Sequence, residues 1–126
     1  MKQNEKDIQE NLDFEIQFYE GVLQKNQDFI QALILLGDLY TKKGLHEKGL
    51  AIDKRLAFLK PEDPTILYNL ACSYSLLNEI KKAFEVVKLA IECGYKDFKF
   101  MREDRDLKNL LKDDRFRQLL GEKIKQ

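Results

Sequence analysis

The strongest constraint on the fold is a repeat of 34 residues. Residues 30–63 and residues 64–97 carry the same residue types at a constant offset. The matched pairs are Leu33 and Leu67, Leu36 and Leu70, Gly37 and Ala71, Tyr40 and Tyr74, and Gly49 and Ala83. A repeat of this length is typical of stacked helical arrays, because one such unit cannot bury its apolar face alone and packs against its neighbours.

Each copy predicts a hairpin of two helices. The apolar residues in the first half of each copy follow the i, i+3, i+4, i+7 spacing of one helix face. Gly44 in the first copy and Asn78 in the second tolerate the left-handed conformation that ends many helices. Small residues, such as Gly37 and Gly49 in the first copy, predict that the two helices cross closely.

The order of these residues resembles the tetratricopeptide repeat over about half of the chain. The residues that carry the resemblance are Leu33, Leu36, Gly37, Tyr40, Gly49 and Pro61, then Leu67, Leu70, Ala71, Tyr74, Ala83 and Ala90. Departures from the family pattern are Leu33 and Leu67 in place of Trp, Asp53 in place of a large apolar residue, Leu56 in place of Ala, and Tyr95 in place of Pro. The resemblance implies an all-α fold, a right-handed superhelix of helical hairpins whose first helices line an inner groove.

Residues 1–29 are predicted to form half a repeat, a single helix over about residues 5–25 with Asn4 as its N-cap. Ile16, Tyr19 and Leu23 recur at helical spacing and are expected to pack on the first hairpin. A second stripe, Phe14, Phe18 and Val22, has no preceding helix to cover it. Exposed aromatic side chains of this kind mark contact surfaces, so this stripe is a candidate edge for self-association as a homodimer.

Beyond Asp97 the repeat pattern fails, and residues 98–126, here called the capping segment, resemble a closing segment that follows tetratricopeptide repeats in bacterial proteins. Asp104 and Asp113 are expected to be N-caps of short helices. The apolar stripe of the last helix consists of Phe116, Leu119, Leu120 and Ile124. The chain is therefore predicted to be one domain, residues 1–126, with a half-repeat (1–29), two repeats (30–63 and 64–97) and a cap (98–126).

Catalytic and metal-binding patterns are weak in this sequence. His46 is the single imidazole, and Cys72 and Cys93 lie 21 residues apart with no CxxC pair. The glycines are isolated and do not form a phosphate-binding loop. We therefore expect no catalytic residue, no metal and no cofactor, and a protein that is not an enzyme.

The charge pattern argues against nucleic acid as a partner. The 22 basic and 22 acidic residues balance, whereas a nucleic-acid footprint requires a basic excess on one face. The charges are unevenly spread, since residues 1–29 are acidic and residues 96–126 are basic. No apolar run approaches the ~20 residues of a membrane span, and the N-terminus lacks the apolar core of a signal peptide, so we expect a cytoplasmic location and no membrane partner.

The solvent-facing stripe of each first helix is the predicted binding groove for a peptide or helix. It comprises Gln31, Ile34, Asp38, Thr41 and Lys42 in the first repeat, and Thr65, Tyr68, Asn69, Cys72 and Ser75 in the second. A purely solvated face would be charged, whereas this stripe contains the apolar or amphipathic residues Ile34, Tyr68 and Cys72, which favours ligand binding. The alternative is that Ile34 and Tyr68 pack between neighbouring helices. Ile34 and Asp38 replace the Lys and Asn with which related domains hold the acidic tails of chaperones, which disfavours such tails as ligands.

The predicted function is a non-catalytic protein–protein interaction module, an adaptor or scaffold that binds a peptide or helix. Two alternatives are a self-associating unit that uses the Phe14, Phe18 and Val22 edge, and a small enzyme or enzyme subunit.

Overall fold

The computed structural model describes residues 4–126, and their regular structure is entirely helical. The helices are α1 (Glu5–Lys25), α2 (Ile30–Lys43), α3 (His46–Leu59), α4 (Pro64–Leu76), α5 (Ile80–Glu92), α6 (Phe98–Glu103) and α7 (Asp114–Lys125), with 3-10 turns at Arg105–Leu107 and Leu110–Lys112 between the last two. No strand occurs among these residues. The predicted all-α class is confirmed, and α1 has the predicted limits.

The chain divides into two compact units, Met1–Leu59 and Lys60–Gln126. The boundary follows α3 directly, close to the end of the predicted first repeat. The first unit therefore contains α1, α2 and α3, and the second contains the α4–α5 hairpin and the capping segment.

In the first unit, both α1 and α3 pack against α2. Its core consists of Ile16, Leu36, Leu39 and Tyr40, with Leu12, Tyr19, Leu23 and Ile52 packed around it. The predicted docking stripe of α1 is thus confirmed. The Tyr40 hydroxyl donates a hydrogen bond to Glu20 Oε2 at 2.7 Å, which ties α2 to α1.

The crossing of α2 and α3 depends on small residues. A Cβ atom on Gly37 would lie 3.2 Å from Ile52 Cγ2 and 3.3 Å from Asp53 Oδ1, which is closer than a side chain normally packs. In the second unit, Ala71 and Ala83 hold the corresponding positions, and both are fully buried. The prediction that small residues mark the helix crossings is confirmed.

The turns inside the two hairpins also follow the prediction. Gly44, directly after α2, has φ +82°, and Asn78, two residues after the end of α4, has φ +59°, so both residues adopt the left-handed conformation. In that conformation the chain reverses within a few residues, which lets the second helix of each hairpin return along the first.

The capping segment folds onto the α4–α5 hairpin through apolar side chains. Met101, Leu107, Leu110 and Phe116 are fully buried. The Asp104 side chain accepts the backbone N–H of Asp106, and the Asp113 side chain accepts those of Arg115 and Phe116. Asp104 and Asp113 are therefore the N-caps that the sequence predicted.

Candidate functional site

The outward stripe of α2 is exposed, as predicted. Gln31, Ile34, Asp38 and Lys42 are exposed, and the aliphatic side chain of Ile34 retains 43% of its accessible surface. Thr41 lies at the margin of the stripe and is half-buried, and its hydroxyl donates a hydrogen bond to the Gly37 carbonyl at 3.1 Å. Four of the five predicted α2 residues thus face solvent on one stripe.

Leu35 belongs to the same stripe and was missed by the sequence analysis. Leu35 is 45% exposed and follows Ile34, which is 43% exposed, so two consecutive aliphatic residues, about 100° apart around the helix, are exposed on the outer face of α2. The repeat contained the signal for it, since Leu35 corresponds to Asn69 at the 34-residue offset and Asn69 is a predicted groove residue. We call Gln31, Ile34, Leu35, Asp38 and Lys42 the α2 stripe.

An ion pair lies at the C-terminal end of the α2 stripe. Lys42 Nζ lies 3.0 Å from Asp38 Oδ2, and both side chains are about 60% exposed. The hydrogen bond from Lys42 to Asp38 and the charge of Asp38 raise the lysine pKa, and Glu15 of α1 adds to this effect. Such an exposed pair contributes little to stability. Its consequence is that the apolar part of the stripe borders a charged, hydrated end.

The corresponding stripe of α4 differs from the prediction. Thr65 and Asn69 are exposed, but Tyr68, Cys72 and Ser75 are buried. The prediction that these three side chains face solvent is wrong. The physical reason is that the capping segment covers them.

Tyr68 is held by residues that follow α5. Its hydroxyl donates a hydrogen bond to Asp104 Oδ2, and its ring stacks on Tyr95 with ring centroids 4.2 Å apart and planes 12° from parallel. Burial, the nearby Cys72 thiol and the hydrogen bond to Asp104 raise the pKa of Tyr68 far above its usual range. Burial also raises the pKa of Tyr95. Tyr68 is a structural side chain that fixes the capping segment.

Ser75 and Cys72 also contact the capping segment. The Ser75 hydroxyl accepts the backbone N–H of Leu110 at 3.1 Å, and the Ser75 carbonyl accepts a hydrogen bond from Asn109 Nδ2 at 2.9 Å. Cys72 Sγ lies 3.8 Å from Asp104 Oδ2 as a hydrogen-bond donor. All three buried residues of the α4 stripe therefore serve the fold of the second unit.

The edge of α1 is exposed, as its sequence indicated. Phe14 retains 72% and Phe18 retains 57% of their accessible surface, and Val22 is half-buried. The Phe18 ring meets Tyr19 edge-on, with centroids 5.1 Å apart. Two phenyl rings one helical turn apart thus face outward, while the opposite side of α1 packs on α2.

His46 and the two cysteines do not form a common site. His46 is half-buried at the start of α3, and its Nδ1 atom is buried without a hydrogen-bond partner among the described residues. Cys72 is buried and Cys93 half-buried, and the described part of the chain contains no disulfide between them. Within residues 4–126, no group of three or more His, Cys, Asp or Glu side chains is placed to hold a metal ion.

None of the helices in the described range 4–126 combines the length and apolar character that a membrane crossing requires.

Comparison with known proteins gives one partial likeness to report. No family model matches the chain. A chloroplastic protein from Arabidopsis thaliana is 36% identical to it over 84 residues, which cover 64% of this chain and 25% of the Arabidopsis protein. The chain thus corresponds to about a quarter of the length of that relative.

Proposed function

We propose that this protein is a non-catalytic protein–protein interaction module, an adaptor or scaffold, built from hairpins of the tetratricopeptide type in a right-handed superhelix. The supporting features are the two sequence copies, the small residues at the helix crossings and the left-handed turns inside both hairpins. The observation that carries the binding function is the pair of exposed neighbours Ile34 and Leu35 on the α2 stripe.

The α2 stripe is the favoured docking surface because the α4 stripe is largely used by the fold itself. Tyr68, Cys72 and Ser75 hold the capping segment, so Thr65 and Asn69 are the predicted α4 residues that remain exposed. The proposed docking surface is therefore the α2 stripe alone, with Ile34 and Leu35 as its apolar anchors.

The chemistry of the α2 stripe favours an amphipathic helix or an extended peptide. Ile34 and Leu35 offer apolar contact area, Gln31 offers an amide at one end, and the Asp38–Lys42 pair offers both signs of charge at the other. Amphipathic ligands use apolar anchors for affinity and polar flanks for orientation. A ligand with two or three apolar side chains followed by a charged residue matches this order.

The proposal assigns no catalytic residue, metal or cofactor, and neither a nucleic acid nor a membrane as partner. The cytoplasmic location stays a prediction from the sequence. The name of the Arabidopsis relative places that protein in the chloroplast. Fractionation of the native source, followed by immunodetection of this chain, distinguishes the two compartments.

The test uses a photo-crosslinking amino acid at Ile34, with Phe58 as the matched control. Phe58 is 74% exposed on α3, outside the α2 stripe. We expect a defined crosslinked product from position 34 and none from position 58 in lysate of the native source. Ile34→Glu/Leu35→Glu should remove a partner identified in this way, whereas Phe58→Glu should keep it. Equal crosslinking at both positions, or a partner indifferent to the double change, would contradict the proposal.

Self-association through the α1 edge is the second candidate function. The specific observation is that Phe14 and Phe18 are the two most exposed aromatic side chains of the first unit apart from Phe58. Sedimentation velocity over a concentration series tests it, because a self-associating chain shows a sedimentation coefficient that rises with concentration.

A further inference from the structure

Six residues of α1 form one continuous exposed line. Asp7, Asn11, Phe14, Phe18, Gly21 and Lys25 follow one another at alternating steps of four and three residues, and all six are exposed. Steps of four and three keep successive residues on one side of a helix, which is the spacing of the seam between two paired helices. Since α1 is one helix from Glu5 to Lys25, the line, here called the α1 seam, runs along nearly its whole length.

The α1 seam is complementary in charge and shape to the same seam of a second, antiparallel copy. Turning a second copy of the helix end for end about the level of Ile16 places Asp7 opposite Lys25, Asn11 opposite Gly21, and Phe14 opposite Phe18. A two-fold axis makes every such contact occur twice. The seam therefore offers an acid opposite a base at both ends and four phenyl rings at the centre.

We propose that α1 pairs antiparallel with α1 of a second copy of this chain, about a two-fold axis level with Ile16. The inference rests on the second candidate function, self-association, and deepens it by naming the geometry. The dimer is isologous, because the same seam supplies both sides of the contact.

The charge pattern decides between the two orientations of the helices. In a parallel pair, Asp7 would face Asp7 and Lys25 would face Lys25, and both contacts are repulsive. The antiparallel pair converts them into two opposite-charge contacts, and charge complementarity of this kind fixes the orientation of paired helices.

The shape of the seam agrees with this orientation. A Cβ atom added at Gly21 would have nothing within 4 Å, so open space surrounds this glycine. In the antiparallel pair that space receives Asn11 of the second copy. The phenyl rings of Phe14 and Phe18 then meet near the axis, where offset or edge-on ring contacts are favourable.

One flank of the seam supports the same arrangement. Ile8, Glu15 and Val22 lie seven residues apart on one side of it, and Ile8 is 43% exposed although it is aliphatic. Reversal places Ile8 beside Val22 of the second copy, which gives that exposed side chain an apolar contact.

Glu15 is an unfavourable element, since it meets Glu15 of the second copy near the axis. Lys42 of α2 interacts electrostatically with Glu15 in the same chain and reduces this repulsion. Because Glu15→Gln removes the like-charge contact between the two copies, it should tighten the dimer.

The first experiment measures association. Sedimentation velocity of the full chain over a concentration series should show a monomer–dimer equilibrium. We expect Phe14→Glu/Phe18→Glu to shift the dimer dissociation constant by at least tenfold, and Phe58→Glu, at an equally exposed aromatic on α3, to leave it unchanged. Circular dichroism of each variant shows that its helices are intact. A wild type that stays monomeric at every concentration overturns the proposal.

The second experiment measures orientation by disulfide crosslinking under mild oxidation, with the wild type as background for Cys72 and Cys93. The Asn11→Cys/Gly21→Cys variant should form covalent dimers, and each single variant should form none above background. Efficient crosslinking of the single variants would show a parallel pair and overturn the geometry while self-association stands. A dimer that survives Phe14→Glu/Phe18→Glu would place self-association on another surface. The Ile34 and Leu35 variants test the groove independently of all these outcomes.

Discussion

Removal of the Tyr68 hydroxyl, by Tyr68→Phe, isolates one hydrogen bond that joins α4 to the capping segment. The ring of Tyr68 is 4% exposed and stacks on Tyr95, and Phe keeps that ring and that stack. The change therefore deletes the hydrogen bond to Asp104 with little change in packing.

The magnitude follows from the partners that Asp104 keeps. A hydrogen bond to a charged group contributes roughly 1.5–3 kcal/mol. Asp104 retains the backbone N–H of Asp106 at 3.0 Å and the Cys72 thiol at 3.8 Å, so the carboxylate is not left without donors. We expect Tyr68→Phe to lower the free energy of unfolding by about 1.5–2 kcal/mol, the lower part of that range. Tyr68→Ala also deletes the buried ring and should cost roughly 3–5 kcal/mol.

Urea denaturation followed by circular dichroism measures these changes, and a double-mutant cycle with Asp104→Asn measures the coupling between the two side chains. Hydrogen exchange at the amide of Leu110, which donates to Ser75, reports on the capping segment itself. A Tyr68→Ala protein with unchanged stability would show that the ring faces solvent, as the sequence pattern predicted. A coupling energy near zero would show that the hydrogen bond between Tyr68 and Asp104 does not contribute to stability.

Three further outcomes are expected. Gly37→Ala should lower the melting temperature, because the added methyl would lie 3.2 Å from Ile52, whereas Gly121→Ala in α7 has open space around it and should stabilise by roughly 0.5–1 kcal/mol through helix propensity. Ala83→Leu should cost roughly 1–3 kcal/mol in urea denaturation by overpacking a fully buried crossing, and a neutral result would place the crossing elsewhere. Burial and the hydrogen bond to Glu20 raise the pKa of Tyr40, so its contribution to stability is complete below the unfolded pKa of about 10 and is lost as pH rises above it. Tyr40→Phe should therefore reduce the slope of unfolding free energy against pH above pH ~10 by at most ~1.4 kcal/mol per pH unit.

Local features of the fold were predictable because short-range chemistry determines them. Asn4 and Asp113 accept backbone N–H groups of the next turn, and Gly44 and Asn78 adopt the left-handed conformation. Each of these depends on the residue itself and on the few residues beside it. The helix limits and the caps therefore follow from the sequence closely.

Exposure of a helix face was less predictable, because it depends on what packs there from elsewhere in the chain. The sequence pattern identifies which residues share the outward stripe of α4, but only the fold shows that Asp104, Asn109 and Leu110 contact it. The 34-residue offset could have predicted part of the capping segment. Phe98 begins α6 at 34 residues after Pro64, and the fully buried Met101 corresponds to Leu67. The repeat pattern continues to Met101 and fails at Asp104, slightly later than the break predicted after Asp97.

The aromatic residues of α4 and α1 differ in whether they carry a polar group and in whether their own chain covers them. Tyr68 is covered by its own chain, and its hydroxyl finds the Asp104 carboxylate, as a buried polar group requires. Phe14 and Phe18 have no polar group, yet they retain more than half of their surface to water. Full burial of one phenylalanine side chain contributes about 1.5–3 kcal/mol, and a two-fold pair of α1 helices covers two copies of each ring, one from each chain. A single substitution on the seam is therefore also counted twice. Phe18 is 57% exposed, so the dimer can add little more than half of that burial per ring. Phe18→Ala alone should weaken the dimer by roughly 2–3 kcal/mol, about thirtyfold to a hundredfold in the dissociation constant. This doubling is specific to a symmetric contact, since a contact with a different protein would lose only one ring.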